Sequence, residues 1–156
     1  MENVLNDQII KQINEVFADL KEPVQVLYFG ARENCDYCDE TRQLLEEVAG
    51  THDKIELSVY DLQDNPDIAG KFNVMNAPGV VIAAKDGAEV KDLGIQFSGI
   101  PSGHEFGTLV NDILLVSRRD SGLNEKTREF LKNLDKPLHL QVFVTPTCPY
   151  CPRAVL

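Results

Sequence analysis

Four cysteines occur in the chain, and they stand as two C-x-x-C pairs: Cys35 and Cys38 in "NCDYCD", Cys148 and Cys151 in "PTCPYCP". Two thiols three residues apart suit dithiol exchange. A thiolate is the attacking nucleophile, and at the start of a helix it is stabilised by the partial positive charge and unpaired N–H groups of the first turn. The second cysteine then lies within reach to displace the mixed disulfide. Cys35 and Cys148 are therefore the expected attackers, and Cys38 and Cys151 the resolvers.

Two other chemistries use the same residues. A zinc site can be built from two C-x-x-C pairs, but the usual separation is about 15 to 20 residues. Here an entire expected domain intervenes, so no metal is assigned. Four inert buried cysteines are the remaining alternative, and the position of both pairs at strand ends argues against it.

The elements around the pairs support the exchange reading. "PVQVLYFGA" (23–31) is an almost continuous apolar run that predicts a buried strand, and "DETRQLLEEVAG" (39–50) carries a Leu44, Leu45, Val48 stripe that predicts a helix. The first pair thus sits where a strand turns into a helix. Ahead of it, Ile9, Ile13, Val16, Phe17 and Leu20 predict an amphipathic helix behind Asn6 as N-cap. After it come a strand in "KIELSVYDL", parallel to the first, a short helix begun by Pro66, and two strands around the Asp86-Gly87 turn. Ser102 and Glu105 have capping-box spacing, and Phe106, Leu109, Val110, Ile113 and Leu114 predict a closing helix.

A polar linker at 117–122 follows, and the pattern restarts with a helix, a strand in "LHLQVFV" and the second pair. Pro23 stands 12 residues before Cys35, and Pro137 stands 11 before Cys148. The expected division is therefore residues 1–118 as a unit with CDYC and 119–156 as a linker and the incomplete start of a second unit with CPYC. The rest of that second unit would lie past Leu156.

The surroundings of the pairs differ. Glu33, Asp36, Asp39 and Glu40 stand against Arg32 and Arg42 at the first, whereas Pro149, Tyr150, Pro152 and Arg153 flank the second. One carboxylate ~6 Å from a thiolate opposes it by roughly 0.7 kcal/mol in near-aqueous dielectric, about half a pKa unit. Cys35 is expected to be the less acidic attacker and its pair the more reducing one.

With 156 residues, 43% hydrophobic content, and 25 acidic against 15 basic residues for a net charge of -10, the chain reads as globular and acidic. That charge argues against nucleic acid or an anionic membrane as partner. The N-terminal stretch lacks signal-peptide character and no apolar run approaches ~18 residues, so a cytoplasmic protein is expected.

The order of elements resembles the thioredoxin fold: an α/β unit with a mixed sheet flanked by helices. "NAPGVVI" is similar to the loop in which a cis-proline faces the active-site disulfide. This resemblance implies that Pro78 is that proline and that the backbone at Ala77 is a docking edge for an extended substrate segment. "CDYC", "VFVTPTCPYCP" and "GIPSGHEF" together resemble the protein disulfide oxidoreductase family, also called glutaredoxin-like proteins, over essentially the whole chain. That family implies thiol-disulfide oxidoreductase activity on protein dithiols and disulfides through Cys35, Cys38, Cys148 and Cys151. Electrons would come from a thioredoxin-reductase-like flavoenzyme, with no cofactor in this chain. Tyr37 and Tyr150 would present a ring to substrate or cover the dithiol.

One departure is chemical: neither "VLYFGA" nor "LQVFV" holds the buried acid that thioredoxin carries in the strand before its motif, so water or a carboxylate from elsewhere must take the resolver's proton. His104 reads as a surface group in a first helical turn. Two alternative functions remain. One is a non-catalytic thioredoxin-like interaction module. The other is the electron-relay part of a peroxide-reducing flavoprotein system, against which a dithiol in both units weighs.

Overall fold

The computed structural model describes residues 4–156, so residues 1–3 of the expected first unit lie outside the described residues. Asn6 caps α1 (Asp7–Phe17), its side chain accepting the Ile9 N–H at 2.9 Å. The chain continues as β1 (Val24–Gly30), α2 (Cys38–Ala49), β2 (Ile55–Asp61), α3 (Pro66–Lys71), β3 (Gly79–Asp86), β4 (Glu89–Ser98) and α4 (Glu105–Arg118). Beyond α4 lie α5 (Glu125–Lys132) and the single turn α6 (Pro152–Val155).

The sheet order is β2-β1-β3-β4, with β1 parallel to β2 and antiparallel to β3, and β3 antiparallel to β4. Because β1 is paired along both edges and covered on both faces, all seven of its residues are buried. That is why it reads as a continuous apolar run rather than an alternating one. Val24, Val26 and Tyr28 face one layer, where Phe17 of α1, Leu44 and Leu45 of α2, and Leu109 and Ile113 of α4 pack. Leu27 and Phe29 face the other, against Ala69, Phe72 and Val74 in and after α3. The β3–β4 hairpin carries a register shift between Ile82 and Ala84.

The loop between α1 and β1 is latched to the end of α4 by Ser117, which is fully buried. Its Oγ accepts the N–H groups of Lys21 and Glu22 at 2.8 and 3.1 Å and donates to the Glu22 carbonyl at 2.7 Å. Removing the hydroxyl would take away the Lys21 N–H acceptor and the donor to the Glu22 carbonyl, while the Glu22 N–H keeps the Ser117 carbonyl at 3.1 Å. Ser117→Ala is expected to cost about 0.5–1.5 kcal/mol, read from urea unfolding.

Two expectations are corrected. Residues 138–144 form no strand: Leu140 and Phe143 are 85% and 90% exposed, because no neighbouring strand among the described residues offers this segment a ladder. The segment that follows nevertheless docks, since α6 packs against α4 and the His104 N–H donates to the Pro146 carbonyl at 3.0 Å. The Ser102–Glu105 capping box also does not form. His104 occupies the N-cap without a side-chain bond, and Glu105 turns inward, where it accepts from the Thr108 hydroxyl at 2.9 Å.

Candidate active site

β1 ends at Gly30 and the chain reaches α2 through a short loop in which Asn34 and Tyr37 take positive φ. Helix α2 starts at Cys38 itself, so Cys35 lies in the turn ahead of the helix and its sulfur is joined to that of Cys38 in a disulfide, with the Cα atoms 5.6 Å apart. The burial is unequal. Cys38 is 7% exposed, while Cys35 is half-buried, so an incoming disulfide meets Cys35 first. The second pair has the same form: Cys148 and Cys151 are joined, their Cα atoms 5.5 Å apart, and both are half-buried. The sulfurs thus pair within each motif and not across the two, and no cluster of three or more potential metal ligands occurs among the described residues.

The Ala77–Pro78 peptide bond is cis. Pro78 precedes Gly79, which pairs with Phe29, so it stands at the sheet end where β1 hands the chain to the first dithiol. Its carbonyl accepts the Gly99 N–H at 2.8 Å. Tyr37 and Tyr150 are 60% and 75% exposed, so both rings stand out into solvent. His104 is exposed, as expected of a surface group.

On the β2 side of the dithiol, an open cleft of about 490 Å³ is lined by Cys35, Cys38, Arg32, Asp39, Arg42 and Tyr60, among others. Its arginines are engaged: Arg32 pairs with Asp64, and Arg42 with Glu46 at 2.8 Å, which raises the Arg42 pKa. Glu33, Asp36, Asp39 and Glu40 are exposed around the same loop.

Three polar side chains were not singled out from sequence for a role at the dithiols. Tyr28, 3% exposed on β1, donates its hydroxyl to the Cys38 carbonyl at 2.8 Å. Burial, reinforced by the negative charge of Asp39, pushes its pKa up to about 12, so it remains a phenol throughout the neutral range. Glu105 and Asp112 are buried on α4, the helix against which the second motif packs. Burial first and then the charge of Glu105 raise the Asp112 pKa to about 7, and Glu105 Oε1 has no hydrogen-bond partner. The recurrence of polar residues at 105, 108 and 112 beside the apolar 109, 113 and 116 was the available signal; the capping-box spacing diverted it.

Three comparisons with known proteins bear on this geometry. A family model described as a thioredoxin domain matches residues 23–111. An alkyl hydroperoxide reductase subunit of Staphylococcus epidermidis is 33% identical over 147 residues, covering 88% of this chain and 26% of that protein; the chain spans about a quarter of the length of the curated relatives it matches. The crystal structure of a protein disulfide oxidoreductase from Aeropyrum pernix superposes with a TM-score of 0.86 at 30% identity, over 98% of this chain and 66% of that one. The NTD_N/C domain of the alkylhydroperoxide reductase AhpF from Enterococcus faecalis gives 0.81 at 28%, over 96% and 70%. No helix among the described residues is long and apolar enough to cross a membrane. With a cis-proline at the sheet end where β1 leads to the C-x-x-C disulfide, and the family model covering more than half its length, the chain belongs to the thioredoxin domain family.

Proposed function

We propose that the chain carries out thiol-disulfide exchange with protein partners. The observation that carries this reading is the disulfide of a half-buried Cys35 with a buried Cys38, at a strand-to-helix junction whose sheet end also bears a cis-proline. In the reducing direction, the Cys35 thiolate attacks a substrate disulfide, forming a mixed disulfide and releasing one substrate thiolate. Cys38 then attacks Cys35 Sγ, releasing the second. Two electrons pass to the substrate, and the Cys35–Cys38 disulfide remains. Ala77 and Pro78 form the docking edge for an extended segment, with Tyr37 beside it and Tyr150 in the same role at the second motif. Cys148 and Cys151 act as a second exchange pair, for which the carboxylates of α4 supply the proton acceptor that no strand provides.

A thioredoxin-reductase-like flavoprotein, as separate partner or as a linked domain, is the electron source in this reading. The names of the relatives favour a relay role in peroxide reduction as its biological setting, despite the two dithiols. A cytoplasmic location fits that setting.

The test is a glutathione redox titration with differential alkylation and peptide mapping of all four cysteines. Cys35 and Cys38 are expected to oxidise together at one potential, more reducing than that of Cys148 and Cys151, with Cys35 the less acidic attacker. A first pair that stays as unlinked thiols would leave an interaction module in place of an enzyme.

A further inference from the structure

The first turn of α2 is held by the Cys35–Cys38 disulfide and by few side-chain bonds. Tyr37, at the N-cap position, is left-handed and makes no side-chain capping bond. Within the turn, the Thr41 hydroxyl donates to the Tyr37 carbonyl at 2.6 Å. From outside the turn, the Tyr28 hydroxyl donates to the carbonyl of Cys38, the first residue of the helix. Tyr28 is itself fixed, because its backbone is paired on both sides, with Val59 on β2 and Val80 on β3.

The space for that hydroxyl is made by Gly30. Residues two apart on a strand share a face. A Cβ at position 30 would lie 2.7 Å from the Tyr28 oxygen, closer than real contacts allow, and a tight 3.2 Å from its ring carbons. Tyr28 and Gly30 thus form one arrangement: a ring reaching along the strand over a bare backbone to the start of the next helix.

We propose that Tyr28 is a positioning residue for the first dithiol, its hydroxyl pinning the Cys38 carbonyl so that the first turn of α2 keeps its N–H groups aimed at the Cys35 sulfur. The inference rests on the exchange function proposed above. Its physical basis is the stabilisation of a thiolate by oriented N–H groups and the helix dipole, which falls off within the first turn and so depends on how that turn is held. The absence of an acid in β1 fits the same picture: the place beneath the resolving cysteine is taken by a group that holds the backbone and does not exchange its proton at neutral pH. With its pKa pushed up to about 12 by burial, the phenol keeps the proton that it donates across the range in which thiols titrate.

The experiment is Tyr28→Phe, which keeps the ring and removes only the oxygen. The readouts are the glutathione equilibrium of each cysteine pair in the same chain and the pH dependence of Cys35 alkylation. The expected result is a disulfide at Cys35–Cys38 about fivefold harder to reduce, a net effect typical of one hydrogen bond, with Cys35 alkylation moved to higher pH. Cys148–Cys151 should keep its parental equilibrium and so serve as the internal control. A first pair unmoved in Tyr28→Phe, or both pairs moved equally, overturns the inference. If Tyr28→Phe does not fold, Gly30→Ala, which displaces the hydroxyl from above, must give the same selective shift or the inference fails. A parental chain whose first pair does not equilibrate with glutathione removes the exchange reading and this one together. A parental pair that equilibrates beside an unmoved variant removes only this one.

Discussion

Cys38→Ser is expected to convert a transient covalent complex with a protein substrate into a lasting one, visible as a higher-mass band on a non-reducing gel. Cys35 is the accessible sulfur and Cys38 the enclosed one, so the substrate bonds to Cys35, and only a neighbour already in place can release it quickly. Intramolecular attack by a well-placed group has an effective molarity of order 10⁵ M or more, against millimolar free thiol. Release should therefore slow by at least about a thousandfold, while the first attack survives. Cys35→Ser should form no such band. The comparison is best made with Cys148 and Cys151 both changed to serine, so that the second pair does not resolve the complex from elsewhere. Turnover by Cys38→Ser at the parental rate would mean that the roles of the two sulfurs are reversed or that the first pair is idle.

Asp112→Asn is expected to stabilise the fold at neutral pH and to flatten its pH dependence. A carboxyl whose pKa rises from 3.8 unfolded to about 7 folded stays protonated in the native state while the unfolded chain ionises. The sign follows: the group's favourable contribution is complete below about pH 4, declines through the interval up to 7, and is gone above it. A shift of about three units corresponds to roughly 4 kcal/mol at most, an order-of-magnitude figure for a buried group beside another carboxylate. Urea unfolding at pH 5 and pH 8 should show the parent losing stability with rising pH and the variant losing much less. If the two slopes match, the carboxyl is not held protonated in the folded chain. The same carboxyl lies on the helix that supports the second dithiol, so its removal also tests whether α4 provides the proton acceptor for Cys151: loss of exchange at Cys148–Cys151 with a more stable fold is the outcome that assigns it.

The strand-to-helix placement of the first dithiol and the hairpin around Asp86-Gly87 were legible because each has a local signature, whereas the cis-proline was legible only through the resemblance of its loop. The buried run 23–31 fits an inner strand. Other features depended on distance in the fold. "LHLQVFV" has strand composition, but a strand exists only through a neighbour, and the described residues offer it none. Glu105 matched a local rule, the S-x-x-E box, yet it is buried and accepts instead from the Thr108 hydroxyl. Tyr28 looked like one more apolar strand residue; its role emerges only when β1 and the start of α2 are seen together, with Gly30 clearing the way.

A final consequence concerns who must move when two disulfides meet. The loop bearing Cys35 hangs from β1, a strand flanked on both edges and enclosed on both faces, and therefore among the last segments to open in any native-state fluctuation. In-line approach of three sulfurs requires one of the two molecules to deform, and this chain is built as the stiff one. The strand behind Cys35 therefore contributes little of the deformation that this approach needs.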